Sequence, residues 1–321
     1  GAEVEWEELS FAVNGAKWGK NRPPLPLLQP EKVLSLPLQL RFGEDYRYRL
    51  DGTDRVEGVD CYVVRFEPAQ REGPSYRGTV WIDQRTFARV RVQTVQGGLS
   101  PPVVSNEEIQ DYAPPLQVDG HPVHLLRTLT AHQIIFIAGR NLLVERRMAF
   151  DDFRVNDAEF DRQRAEARGG DRVMFADTER GVRNYVKQGD ARVVSDAVTQ
   201  GVKAAAFGTT LDPSYAFPLP IVGLNVIDFN FGSPNTQLAL LFGGVLAAGN
   251  VQRPKFAGTP IDVSVDFFGI AVPSTDRLYD ATGSLDAERV LTWPLSTGLN
   301  VGWQYTSFQR ITGQYQFRFD P

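Results

Sequence analysis

The residues whose types could carry chemistry are few: His121, His124 and His132, the single Cys61, and the carboxylates Glu107, Glu108, Asp111, Asp151 and Asp152. His121-Pro122-Val123-His124 would align two imidazoles on one side of a helix. Pro122 and the β-rich text around it favour a strand, where positions i and i+3 point to opposite faces, so no metal site is expected. Adjacent carboxylates on strands and turns project into solvent, whereas acid–base catalysis needs them to converge on one atom. Cys61, flanked by Tyr62 and Val63, reads as core filling. No G-x-S-x-G, H-E-x-x-H or phosphate-loop pattern occurs. Gly243, Gly244 and Gly249 sit inside an apolar run that reads as strand, not between a strand and a helix. The expectation is a non-enzymatic protein with no catalytic residue, no bound metal and no cofactor.

The elements around these residues say more than the residues do. With 321 residues the chain has room for two domains, and 42% hydrophobic with 23% charged residues is the balance of an ordered protein. A net charge of −5 and a pI near 5.4 argue against a nucleic-acid partner. One cysteine excludes an intrachain disulfide. The longest apolar run, Leu238 to Gly249, is about half of what a membrane helix needs. Gly1 to Ser10 is acidic and lacks the apolar region of a signal peptide. Charge is unevenly placed: residues 221–321 hold 14 charged side chains, and Phe229 to Gln252 holds none. A water-facing surface normally carries more than that.

Four regions follow. Residues 1–39 hold Trp6, Trp18 and a proline-rich stretch, Pro23 to Pro37, expected to cross as a loop. Residues 40–155 read as antiparallel strands: 40–50 before a turn at Asp51-Gly52, then 59–66, 76–83, 86–95, 103–112, 123–131, 133–138 and 142–154. Residues 156–220 read as a helical and extended linker. In it Asn156 with Glu159 forms a capping box, Gly169-Gly170 ends a solvated helix, and a second helix is expected around Val193–Val202. Residues 221–321 read as strands 224–231, 235–248, 261–272, 288–293, 299–304 and 311–320.

That last region alternates with period two, so each strand has one apolar and one polar face. Leu238, Leu240, Phe242, Val263, Val265, Phe267, Leu299, Val301, Trp303, Tyr305, Tyr315 and Phe317 form the apolar set. Asp262, Asp266, Asn300, Gln304, Gln314, Gln316 and Arg318 form the polar one. Long alternating strands with little charge are the signature of an outer-membrane β-barrel, in which the first set faces lipid and the second faces the lumen. A barrel needs at least eight strands, because an open edge in lipid leaves unpaired backbone groups. Fewer are visible, so the chain is expected to be a piece of a longer protein.

Leu50–Phe66 (LDGTDRVEGVDCYVVRF) followed by Tyr76–Val95 (YRGTVWIDQRTFARVRVQTV) resembles the periplasmic outer-membrane lipoprotein-sorting proteins of the lipoprotein-carrier type. The likeness covers roughly residues 40–153. It implies a curved antiparallel sheet that cradles an acyl chain, although the helix-rich lid usual before that sheet is absent. Residues 221–321 are similar in pattern to the beginning of a surface-antigen or assembly-factor barrel. The expected fold is therefore mainly β: a curved antiparallel sheet domain and a partial up-and-down transmembrane-type barrel joined by a short helical linker. The expected protein is a non-enzymatic envelope component of a double-membraned bacterium, in the outer membrane with a periplasmic domain. Its partners would be outer-membrane lipid and a lipoprotein or acyl chain. The alternatives are a wholly soluble periplasmic lipid-binding β-protein and, more weakly, a secreted hydrolase whose catalytic region lies elsewhere. Exposure of Val265, Phe267, Val301, Trp303, Tyr315 and Phe317 separates the first two: bare together they face lipid, buried together they form a soluble core.

Overall fold

The computed structural model describes residues 4–13, 15–19, 32, 45–69, 73–137, 140–189, 191–195, 201–280, 283–305 and 309–319, with side chains left aside at 206, 276–280 and 283–289. The chain is mainly β, with one α-helix and several antiparallel sheets among the described residues, none of which closes into a barrel. It divides into two units, residues 1–135 with 142–198, and residues 136–141 with 199–321.

The first unit is built on a seven-stranded meander: β1 (Tyr46–Val56), β2 (Val59–Pro68), β3 (Ser75–Asp83), β4 (Arg89–Gly97), β5 (Val103–Tyr112), β6 (Leu126–Ile137) and β7 (Arg140–Ala149), each paired to the next, with residues 136, 137, 140 and 141 at the ends of β6 and β7 counted in the second unit. The Asp51-Gly52 turn expected from sequence is instead a bulge in a continuous β1, where the register slips between Leu50 and Gly52. The reversal comes at Glu57-Gly58, both at positive φ, which is the backbone a tight hairpin requires. The two strands expected at 123–131 and 133–138 are one, β6; residue 138, with Leu40 and the proline stretch 23–37 apart from Lys32, lies outside the described residues.

Cross-strand register puts Tyr46, Phe66, Val80 and Val92 on one covered face as the core. The other face carries Arg47, Arg49, Arg65 and Arg77, all exposed. Apolar inside and charged outside is what water imposes on a sheet.

Residues 156–194 are more ordered than a linker. Helix α1 (Phe160–Gly169) starts at Glu159, not at Asn156, and no side chain caps it. Asn156 has φ 56° and donates to Asp119 at 3.4 Å, which removes it from the helix path. Val193 and Val194 lie in strand Ala191–Val194 and Val202 in a later strand; Ala197 and Val198 of the expected second helix lie outside the described residues. A four-stranded sheet forms from Val4–Glu7, Met174–Thr178, Gly181–Gln188 and Ala191–Val194. The N-terminal segment is thus a strand at Val4–Glu7 rather than a loop, with Trp6 stacked on Phe175 at 5.3 Å.

The second unit is another seven-stranded meander: β8 (Gly201–Thr210), β9 (Leu219–Asp228), β10 (Gln237–Gly243), β11 (Leu246–Arg253), β12 (Ile261–Ile270), β13 (Leu295–Gln304) and β14 (Arg310–Phe319). The single strand expected at 235–248 is two, because Gly244 at φ 68° turns the chain back on itself. The strand expected at 288–293 lies in Gly283–Thr292, which pairs with Ser274–Asp280 as a hairpin between β12 and β13, outside the main sheet. β8, placed in the linker by its sequence, is an edge strand of this sheet.

Candidate functional site

The register of the second unit assigns every strand residue to a face. One row runs unbroken across all seven strands: Gly201, Asp228, Leu238, Val251, Val265, Leu299, Tyr315. The next rows on that face add Leu240, Phe267 and Phe317 on one side and Val263 and Val301 on the other, followed by Ile261, Trp303 and Ile311. Register therefore places eleven residues of the expected apolar set of twelve on one face, and the twelfth, Tyr305, lies just past the end of β13. Nine of the twelve are exposed, among them Val265 at 47%, Trp303 at 51% and Tyr315 at 71%; Leu238, Leu240 and Val263 are half-buried. The sequence reading missed Phe207, Val222, Leu224 and Leu295, which extend the same face and are exposed, as is Phe319 at its end. Their alternating spacing was a usable signal. Phe267 lies over Gly249, where a methyl group would collide with its ring, so an aromatic covers a bare stretch of backbone.

The reverse face is mixed: it is apolar at Ala239, Leu241, Ala248 and the exposed Phe268, and carries polar rows that are buried towards the middle of the sheet. Gln237, Gln252, Ser264, Asn300 and Gln314 form one cross-strand row, and Asn250, Asp266, Gly298 and Gln316 form the next. Asp262, Ser264, Gln237 and Gln252 are buried, Asp266, Asn300 and Gln304 half-buried, and Gln314, Gln316 and Arg318 exposed on the edge strand. Asn300 donates to Ser264 Oγ at 3.3 Å and to the Asp266 carboxylate. Arg310 pairs with Asp262 across the intervening Gly302, at which any Cβ would strike both groups. Sequence reasoning missed Arg310 because its partner lies 48 positions away. Gln237 is 3% exposed, and both atoms of its amide lack a hydrogen-bond partner. A buried amide left so costs about 1–3 kcal/mol, which a bridging water would offset.

Both units bury amides, but they differ in how those amides are paired and in what the apolar face meets. In the first, buried amides sit in a satisfied chain: Gln133 donates to Asn106 at 3.0 Å, and Asn106 donates to Gln96 at 3.0 Å and to Glu108 at 2.9 Å. In the second, most of the apolar face is exposed, and the buried amide of Gln237 lacks a hydrogen-bond partner.

The histidines do not converge. His121 lies in a three-residue strand, His124 follows it, and His132 on β6 faces Glu145 at 3.9 Å. No group of three metal-ligating side chains occurs among the described residues. Cys61 is fully buried and desolvation pushes its thiol above the ordinary value, which suits a core residue.

The strongest electrostatic cluster of the first unit is structural. Burial alone would raise the pKa of Glu5, but hydrogen bonds from Arg168, Tyr185 at 2.7 Å and Arg164 at 3.3 Å outweigh it and hold the carboxyl at about 2. They tie α1 to the four-stranded sheet beside a cavity of about 530 Å³ lined by Trp6, Phe160, Arg164 and Met174. Because the folded pKa lies below the usual 4.5, this stabilisation is full above pH 4.5 and is lost as pH falls towards 2. The expected result is that Glu5→Gln removes about 2 kcal/mol of the acid sensitivity of unfolding between pH 5 and pH 2. Denaturant titrations of both proteins at several pH values check this; parallel pH profiles would refute it.

No family model, curated protein or solved structure matches this chain.

Proposed function

We propose that this chain is a non-enzymatic envelope component of a double-membraned bacterium. In this reading, β8–β14 form part of the wall of an outer-membrane β-barrel and β1–β7 form a periplasmic sheet that handles lipid or lipoprotein. The observation that carries the proposal is the inverted polarity of the second sheet. An apolar face runs across seven strands with nine of its twelve expected residues exposed, while Gln237, Gln252, Ser264 and Asp262 are buried behind it and Arg310, the partner of Asp262, is nearly so. In water such a sheet would turn over, because each buried apolar side chain gains about 1.5–3 kcal/mol and each enclosed polar group costs. In a bilayer the same arrangement is the favourable one. Support for the periplasmic role is narrower: the likeness of 40–153 to lipoprotein carriers, and Tyr48 and Leu50 exposed on the same face as Phe66 and Val64.

Size-exclusion chromatography with light scattering tests the proposal on the full chain. The expected outcome is a monodisperse particle in detergent or lipid nanodiscs, and aggregation when detergent is withdrawn. A monodisperse species in plain buffer, with no mass of bound detergent in its presence, would sink the membrane reading and favour the soluble lipid-binding alternative.

A further inference from the structure

The bare face of the second sheet does not end squarely. Its limit on the side where β8 begins is marked on four strands: by Lys203 on β8, Asp228 on β9, Arg253 on β11 and Tyr305 beyond β13. Register shows that these four do not share a hydrogen-bond row. The row that starts at Lys203 passes through Val226, Leu240, Gly249 and Phe267 and reaches β13 at Thr297. Tyr305 lies eight residues farther along. Asp228 is displaced from the Lys203 row by one row and Arg253 by two, so the displacement grows steadily across the sheet.

Taking the membrane reading above as given, we infer that this diagonal is the trace of a bilayer surface on tilted strands, with Lys203, Arg253 and Tyr305 held at the level of the phospholipid phosphates. Eight residues at about 3.4 Å make roughly 27 Å along the strand, against roughly 24 Å for five strand spacings of about 4.8 Å. A level plane cuts tilted strands at positions that advance by the spacing times the tangent of the tilt. The ratio gives a tilt of about 48°, close to the roughly 45° at which barrel strands cross membranes. The chemistry of the marks agrees with the geometry. Lys203 and Arg253 are exposed cations, Arg253 being held by hydrogen bonds from its Nη1 to Ser233 at 2.8 Å and Thr236 at 3.3 Å, and Trp303 with Tyr305, their rings 5.7 Å apart, is an aromatic pair of the kind that collects at the headgroup boundary. A sheet edge in water has no reason to place its polar limit on a slanted line.

Nitroxide labels on single cysteines test this in the full chain reconstituted in phosphatidylcholine–phosphatidylglycerol vesicles. Cys61→Ala supplies the background, and native Cys61, fully buried, serves if that variant does not fold. Labels at Lys203, Arg253 and Tyr305, which lie on three different rows, are expected to report one shallow depth by relative oxygen and nickel-chelate collision rates. Labels at Asp228, Val265 and Leu299, which share one row, are expected to report increasing depth, with Leu299 about 14 Å deeper than Asp228. Equal depths along that row, with Val265 and Leu299 in lipid, would overturn the tilted register and leave the membrane reading standing. Water-like collision rates at Val265 and Leu299 would overturn both.

Discussion

Arginine in place of Leu299 is expected to destabilise the lipid-inserted protein by about 2–4 kcal/mol, the cost of a cation near the midplane on the outer face of a barrel. Leu299 sits on β13 between Val265 and Tyr315, all exposed, so a side chain there meets whatever solvent the bare face meets. If that solvent were water, the same substitution would change stability by no more than about 0.5 kcal/mol and would improve solubility. The two solvents therefore predict different magnitudes for one mutation. Gln314→Arg is the control, because it adds the same charge to the same sheet on the polar face. Urea titrations in vesicles of both variants and the parent give the comparison. A Leu299→Arg effect no larger than that of Gln314→Arg would remove lipid from the account of this face.

What the sequence disclosed and what it concealed divide along physical lines. β12, β13 and β14 were legible because polar and apolar residues alternate along them without interruption, from Ile261 to Phe267 and from Ile311 to Phe319. β10 and β11 were read as one strand because their reverse face is also apolar there, with Ala239, Leu241 and Ala248, so no alternation marks the break. The turn between them is only Gly244-Val245, inside the same uncharged run. β8 was hidden by small residues, Ala204 to Ala206, whose faces do not contrast. The helix expected near it rested on valines and alanine spaced by three to five positions, of which Val193 and Val194 fall in strand Ala191–Val194 and Val202 in strand Gly201–Thr210. Asn156 and Glu159 had the letters of a capping box, but the positive φ of Asn156 turns it away.

The site shows the same division. Alternation says that a sheet has two faces; it does not say which one is covered. Register keeps the apolar and polar sets on separate faces, while the burial of part of the polar face rests on tertiary geometry. Rows such as Gln237–Gln252–Ser264–Asn300–Gln314 draw on five strands, and only register assembles them.

Alanine in place of Arg310 is expected to be as damaging as Leu299→Arg, for the opposite reason. Asp262 is 5% exposed and its carboxylate is paired with the Arg310 guanidinium, so removing the cation strands a buried anion. Breaking one side of such a pair costs about 3–5 kcal/mol, whereas replacing both partners with apolar groups can be neutral. The double variant Asp262→Leu with Arg310→Met should therefore recover most of the loss, which a double-mutant cycle of unfolding free energies reads directly. A pair in open water would give less than about 1 kcal/mol for the single change and no recovery in the double. The position of the pair adds a structural consequence. Arg310 opens β14, the edge strand, and reaches Asp262 on β12 over Gly302 of β13, so one ion pair fastens three strands where the backbone of β14 has a neighbour on one side only among the described strands. Gly302→Val would push the same two side chains apart without removing either charge. It should reproduce the Arg310→Ala loss if the pair is what holds the edge.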